Sequence, residues 1–447
     1  SCSMLSSISS SPLNQLRAAV SLMPSASHIA ATMSSSKKEK EFDPEKNLVY
    51  EKGFFDDFTD RDYSAKAWTV ANQKWGSGYN NGVKASNVNY TKDGILVLQA
   101  NGDYYAGELG ENGKRSGAAI ISNQVFGPGR FEVKMKVLPR FGATSAIWTF
   151  FYGDADGRKD LNQEIDIELN VGNDFTEVWN TSWHTTKSKA TSKYNSHTIN
   201  NDGEWHTYKI EWHTNPERID YYIDEELTCS SSSMVPWCAG RLWIGCWFPD
   251  AWAGEPDFET DYMLVDYVRY IPYQNNPCTV TNPKIGAYGE YPSTPIELPV
   301  ANLISNGDME GDASAWIRTS DTKSCVLDGI GTGKSKGLAI PNADMAYQFV
   351  TGMYEGFEIT LDFNAKLKEP GTEAYILVEC RPLASTVIET IRIDILADGK
   401  KTEDGFIKQS RTFVLPEGCK RLEVSLICQK GSVVFDDLYM SKSYKKG

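Results

Sequence analysis

Short segments in which apolar and polar residues alternate one by one constrain this chain more than any other feature. Arg130–Val137, Glu164–Glu168, His206–Trp212 and Ile219–Asp224 each alternate with a period of two, and Gly, Asn and Asp punctuate the stretches between them. Successive side chains of a β-strand point to opposite faces, so this pattern predicts half-buried strands joined by turns. No long amphipathic helical pattern interrupts them between Phe54 and Tyr273, which predicts an all-β antiparallel sandwich. The pattern breaks over 274–300, where Pro277, Pro283, Pro292, Pro295 and Pro299 read as a semi-rigid linker. It resumes from about Leu303, as in Phe357–Phe363 and Arg421–Ile427, and predicts a second, smaller β-sandwich. The expected organisation is a Ser-rich leader over 1–45, a first sandwich over 46–273, the linker over 274–300 and the second sandwich over 301–447.

Composition narrows the partners. The 45 basic and 59 acidic residues leave a net charge of −14, which argues against nucleic acid and anionic membranes and for a neutral ligand. No run of about 18 apolar residues is present, so no membrane-spanning segment is expected. Of the 12 Trp, all but Trp316 fall between Trp68 and Trp252. That bias marks the first sandwich as a separate unit, and flat indole faces suit both a large core and packing against sugar rings. The nine Cys form no CxxC pair, so no structural zinc is expected. Their number without Cys2 permits disulfides but assigns none, and Cys246 reads as a small buried apolar residue. Residues 1–38 carry no Asp or Glu, and Arg17 interrupts the apolar stretch Leu16–Leu22, so a secretory signal is not the reading. The first residue is Ser, and a processed chain is the expectation. Two readings of the leader stay open: a lipid tether through Cys2, or a disordered extension of no specific role.

Glu164-Ile165-Asp166-Ile167-Glu168 is the most informative stretch. In a strand its three carboxylates share one face, while Ile165 and Ile167 point into the core. Like charges aligned this way repel, which an ordinary surface strand avoids. Paired carboxylates are the apparatus of glycoside hydrolysis, one as nucleophile and one as proton donor and then base. Along a flat strand the Cα atoms of Glu164 and Glu168 would lie about 13 Å apart. Inward-leaning side chains on a concave sheet can bring the carboxyls to the retaining separation of about 5.5 Å. Asp166 is placed to hydrogen-bond Glu164, and the clustered charge is expected to keep Glu168 protonated.

With Gly129–Met135, Ala146-Ile-Trp148, Trp205–Trp212, Tyr222-Ile-Asp224 and Met263–Arg269 in this order, the chain resembles glycoside hydrolase family 16, the β-jelly-roll endo-glycanases, over about 50–273. The resemblance implies a concanavalin-like β-jelly-roll, with Glu164 as nucleophile, Asp166 as its helper and Glu168 as general acid/base. It also implies Trp148 as a platform beside the cleavage point and His184 as a cleft residue next to the triad. The straight ExDxE spacing is similar to that of the lichenase and xyloglucan-active branches, whereas many laminarinases carry ExDxxE with a bulge. Leu169-Asn170 follows the motif where lichenases usually have Phe-Leu-Gly, which leaves the polysaccharide open. Trp243, Trp247 and Trp252 bracket the loop Phe248–Gly254, which is placed to wall one end of the cleft. Trp247 and Trp252 are the expected substrate contacts, with core packing an equal account of at least one of the three. His197, His206 and His213 show no ligand spacing and read as satisfied structural residues.

The second sandwich opens with Asn302–Glu310 and closes with Val434–Leu438, a pair that resembles the family 4-type carbohydrate-binding modules. That resemblance implies a structural calcium with Glu310 and Asp436 as oxygen ligands, two surface acids being the alternative. Sugar-stacking candidates there are Trp316, Tyr347 and Tyr354. Gly329–Ser335 imitates a phosphate loop, but Asp328 stands where the motif needs Gly, and a Gly-rich turn is expected. The expectation for the whole chain is a monomeric retaining endo-hydrolase without a catalytic cofactor, working outside the cell on a polysaccharide. A β-1,3-1,4- or β-1,3-glucan is the first choice of substrate and an agar- or carrageenan-type galactan the second, since no basic cluster flanks the triad. A transglycosylase would use the same triad; a lectin would need neither Glu164 nor Glu168.

Overall fold

The computed structural model describes residues 42–75, 80–108, 114–153, 161–171, 174–186, 192–197, 200–249, 251–286, 288–319 and 321–443. Cys2 and the leader up to residue 41 lie outside the described residues. Pro44–Gly447 forms one compact unit built around two separate apolar cores.

The first sandwich is a β-jelly-roll of two layers. The layer that carries the acidic motif contains β1 (Trp68–Val70), β2 (Arg115–Phe126), β3 (Thr144–Phe150), β4 (Leu161–Val171), β5 (Asp174–Thr186), β6 (Ser192–His197) and β7 (Gly240–Trp247). They lie side by side in the order β6-β5-β4-β3-β7-β2-β1, and every pairing is antiparallel. The facing layer holds Val88–Tyr90, Leu96–Asn101, Gly129–Lys136, His206–Thr214, Glu217–Ile223, Glu226–Ser231 and Thr260–Pro272. One residue pair, Asn101 with Ser116, joins the layers at a corner. Alternation explains the core: Ile165, Ile167, Ile147, Leu242 and Ile244 from one layer meet Phe131, Val133, Tyr208, Ile210 and Trp212 from the other, all within 1% of full burial. Burying each such side chain stabilises by roughly 1.5–3 kcal/mol, which pins the register of β4 and turns the intervening acids outward. Among the described residues helical structure is confined to short pieces such as Arg61–Ala67, where the Asp60 carboxylate accepts from Asp62 N and Tyr63 N.

The second sandwich packs a five-stranded sheet on a four-stranded one, around Leu338, Ile359, Leu361, Phe363, Ile376, Val378, Val424 and Phe435. The two sandwiches touch directly. Asn306 N donates to Glu259 Oε1 at 2.6 Å, Asn201 Nδ2 to Gly352 O at 2.7 Å, and Lys114 pairs with Asp312 at 3.1 Å. Gly352 has a φ of +76°, and a β-carbon there would run into the carbonyl of Pro139. Gly352→Ala is therefore expected to cost more than about 1 kcal/mol, seen as a lower unfolding midpoint by circular dichroism; an unchanged midpoint would show that this contact carries no weight.

The proline-rich segment, expected as a spacer, lies along the first sandwich instead. Ala239 N donates to Thr279 O at 2.8 Å, and Arg241 donates to Pro283 O. Gly289 bridges Val70, and Arg61 donates to the carbonyls of Tyr291 and Pro292. Tyr291 is buried in the first core, stacked on Tyr90 at 5.6 Å. Proline fixes the backbone as extended, and these contacts use that extension as an edge along the sheet.

The calcium expectation meets a different arrangement. Glu310 and Asp436 both address the loop 329–336, but each receives protein hydrogens. Asp436 Oδ2 accepts from Thr332 N, Thr332 Oγ1 and Ser335 Oγ at 2.7–3.2 Å, and Glu310 Oε1 accepts from Lys336 N at 2.6 Å. A hard cation takes six or more oxygen ligands, whereas here one oxygen of each carboxylate accepts from the protein loop. Among the described residues no group of three or more His, Cys, Asp or Glu is placed to hold a metal. Trp316 is 1% exposed and donates to Asn306 O, so its ring is core and not a sugar platform.

Candidate active site

Register across the outer face of the first layer puts the acids into rows. Glu168 stands beside Ala146 of β3, Gly245 of β7 and Trp179 of β5; Asp166 beside Trp148, Trp243 and Thr181; Glu164 beside Phe150 and Trp183. Ala146, Gly245 and Ala119, which are neighbours across three strands, leave the floor low next to Glu168. A β-carbon on Gly245 would sit 2.6 Å from that of Ala119, so the trough needs glycine at this point. The result is a cleft of about 330 Å³ with Glu164, Asp166 and Glu168 along it.

Its walls are aromatic. Trp148 stacks on Trp243 at 5.3 Å, and Trp75 meets Trp148, Trp243 and Trp247 edge-on at 5.8–6.3 Å. Trp252 stacks on Trp179 at 4.8 Å and meets Trp247 edge-on at 5.9 Å, which closes the Glu168 end. Sequence reasoning found Trp148, Trp247 and Trp252 but missed Trp75 and Trp179, whose roles depend on strand register and on a distant loop. His184 does not join the triad: its cross-strand partner is Gln163, whereas Trp183 faces Glu164. Directly opposed residues share a face, so His184 lies on the other side of the sheet, where it accepts from Trp237 Nε1. His206 bridges Asp202 and Asp224 at 2.8 and 2.6 Å, which raises its pKa to about 9 despite burial.

Asp166 is the acid hemmed in on both sides. Burial first, then the charges of Glu164 and Glu168, hold its pKa well above the usual carboxylate range, so it keeps its proton and donates it to Glu164. Burial also raises Glu164, opposed by that bond from Asp166 and by Asn162 Nδ2 at 3.2 Å. Two donors thus fix an ionisable carboxylate at the cleft floor, with a neutral acid as its brace. The sequence reading expects a proton on Glu168; burial and flanking charge hold one on Asp166 as well.

This has a stability consequence. A carboxyl whose pKa is raised by folding stabilises the fold while protonated and loses that contribution as pH climbs through its folded value. Asp166→Asn keeps a donor to Glu164 but removes the proton requirement. The variant is expected to unfold about 2–4 °C above wild type at pH 8, roughly 1 kcal/mol, and the gap is expected to close below about pH 4. Calorimetry at both pH values checks it; equal midpoints at pH 8 would contradict the assignment.

The sequence matches the profile of the glycosyl hydrolases family 16 over residues 76–264, a span that holds the acid row. The beta-glucanase of Paenibacillus macerans is 30% identical over 203 residues, or 43% of this chain and 80% of that protein. A beta-glucanase of Acetivibrio thermocellus is 28% identical over 270 residues, 58% of this chain and 72% of the relative. Among solved structures, the beta-glucanase of Bacillus licheniformis covers 49% of this chain and 97% of its own at 22% identity, with a TM-score of 0.41. The family profile spans the acids, a relative at 30% identity is matched over four-fifths of its length, and this glycoside hydrolase therefore belongs to glycosyl hydrolases family 16.

Proposed function

We propose that the chain hydrolyses a β-glucan, of β-1,3-1,4 or β-1,3 linkage, from within and with retention of configuration. The observation that carries this reading is the acid row itself: Glu164, held by Asp166 and Asn162, and Glu168 two places beyond Asp166 on the same face. Glu164 attacks the anomeric carbon, and Glu168 delivers its proton to the departing glycosidic oxygen, which leaves as a hydroxyl on the shortened polymer. A water then attacks the glycosyl–Glu164 ester, gives its proton to Glu168 and frees Glu164. Asp166 holds the Glu164 oxygen in line through both steps. No cofactor enters the sequence.

The name beta-glucanase, carried by relatives at 28–30% identity, supports glucan as the polymer. So does the lining: the described residues that line the cleft include no Lys, Arg or His, and those besides the three acids are apolar, aromatic or amide side chains. A sulfated galactan would meet repulsion there. A panel of purified mixed-linkage glucan, laminarin, agarose and carrageenan, read by reducing ends, tests the choice: release from the glucans is expected, and release from galactans alone would overturn it. Product lengths over time separate water from sugar as the acceptor, since a transglycosylase makes products longer than its substrate. Polymers of this size are met outside the cell, so we also propose an extracellular site of action. Mass spectrometry of the native N-terminus tests the tether at Cys2; an unmodified Cys2 would leave plain secretion.

A further inference from the structure

The segment between the sandwiches lies beyond the span that matches the family, 76–264, yet it reaches the cleft. Arg241 of β7 donates to Pro283 O and Asn282 Oδ1, and the Gly289–Val70 bridge fixes the segment again on β1. Between these two anchors, Ile285 and Tyr288 pack on the aromatic cluster of the outer face. Tyr288 lines the cleft together with Tyr152 and Trp243. Phe150 opposes Glu164, and Tyr152 is the next residue of the same parity, so Tyr152 stands past the Glu164 end of the acid row, while Trp243 is level with Asp166 through Trp148.

Two polar atoms of this group are unmet. Trp243 is 5% exposed, and its Nε1 points toward the Tyr152 hydroxyl, but neither atom completes a hydrogen bond. An unmade buried hydrogen bond is costly, and a hydroxyl-rich ligand entering the cleft would supply the missing partner. Tyr288 adds what a pyranose ring also needs, a flat face for its C–H side and a hydroxyl for its edge.

We infer that Tyr288 is a substrate-binding residue: with Tyr152 and Trp243 it forms a glycosyl subsite in the cleft beside the acid row, and the proline-rich segment is a specificity wall of the active site rather than a spacer. The inference rests on the glucan reading above and extends it to residues that grip the chain beside the acid row. The extended backbone set by proline holds Tyr288 in place before substrate arrives, which lowers the ordering cost of binding.

The test uses the full chain carrying Glu164→Gln, so that ligand binds without turnover. Titration of a mixed-linkage glucan hexasaccharide and of laminarihexaose by calorimetry gives the reference Kd. Adding Tyr288→Ala is expected to weaken the better of the two ligands roughly tenfold, and Tyr288→Phe roughly twofold or less. Tyr288→Leu, which keeps apolar packing against the aromatic cluster but no flat ring, is expected to fall close to Ala and serves if the Ala variant fails to fold. An unchanged Kd in folded Ala or Leu variants overturns the inference while leaving the glucan reading intact. Absence of binding to both hexasaccharides with Tyr288 in place overturns the glucan reading, and this inference with it.

Discussion

Glu164→Gln is expected to lower kcat on the polysaccharide by about 10⁴-fold or more, because the covalent route then has no nucleophile. The change is nearly isosteric, and the Gln side chain still reaches Asp166 and Asn162, so the fold and the affinity for substrate are expected to persist. Comparison of kcat with Kd for a glucan oligosaccharide in the same variant separates chemistry from binding. Loss of binding in step with kcat would mean that Glu164 holds the chain instead of attacking it. Full activity on every substrate the wild type cleaves would remove Glu164 from the mechanism.

Glu168→Gln is expected to act differently. Proton donation to the leaving oxygen contributes on the order of 10²- to 10⁴-fold, and only a poor leaving group needs it. On the polysaccharide, kcat is expected to fall within that range. On an aryl glucoside whose phenol leaves without a proton, glycosylation is expected to fall far less, and a small anion such as azide, which needs no general base, is expected to restore turnover. Equal losses on both substrates, with no rescue, would show that Glu168 is not the acid and base. The pair of variants therefore divides the row into two roles that no stability effect can imitate.

Much of this was legible in the sequence because a strand has a period of two. Ile165 and Ile167 dictate which way β4 faces, and the acids follow without further information. The same rule shows why His184 was misplaced: it adjoins Trp183, which does face Glu164, and a shift of one residue reverses the side of the sheet. What stayed hidden depends on neighbours far along the chain. Ala119, Ala146 and Gly245 look like ordinary small residues until three strands align them into the trough beside Glu168. The proton on Asp166 follows from burial between two acids, a quantity the alternation does not contain. Pro277 to Pro299 announce an extended backbone, but whether it spans space or hugs a surface is decided by partners such as Arg241 and Arg61, and by the ring of Tyr291 in the core. Asp436 shows the same dependence: its motif suggests a cation, and only the fold brings the Thr332 and Ser335 donors onto its Oδ2.

The most direct test of the acid row as a nucleophile and acid pair is the configuration of the first product. Digestion of a mixed-linkage glucan oligosaccharide, followed by proton NMR of the anomeric region within the first minutes, reads it before mutarotation mixes the anomers. Attack by Glu164 followed by attack by water inverts twice, so the new reducing end is expected to appear first as the β-anomer, with the α-anomer growing only as mutarotation proceeds. Initial appearance of the α-anomer would mean a single displacement by water, and would contradict the role given to Glu164.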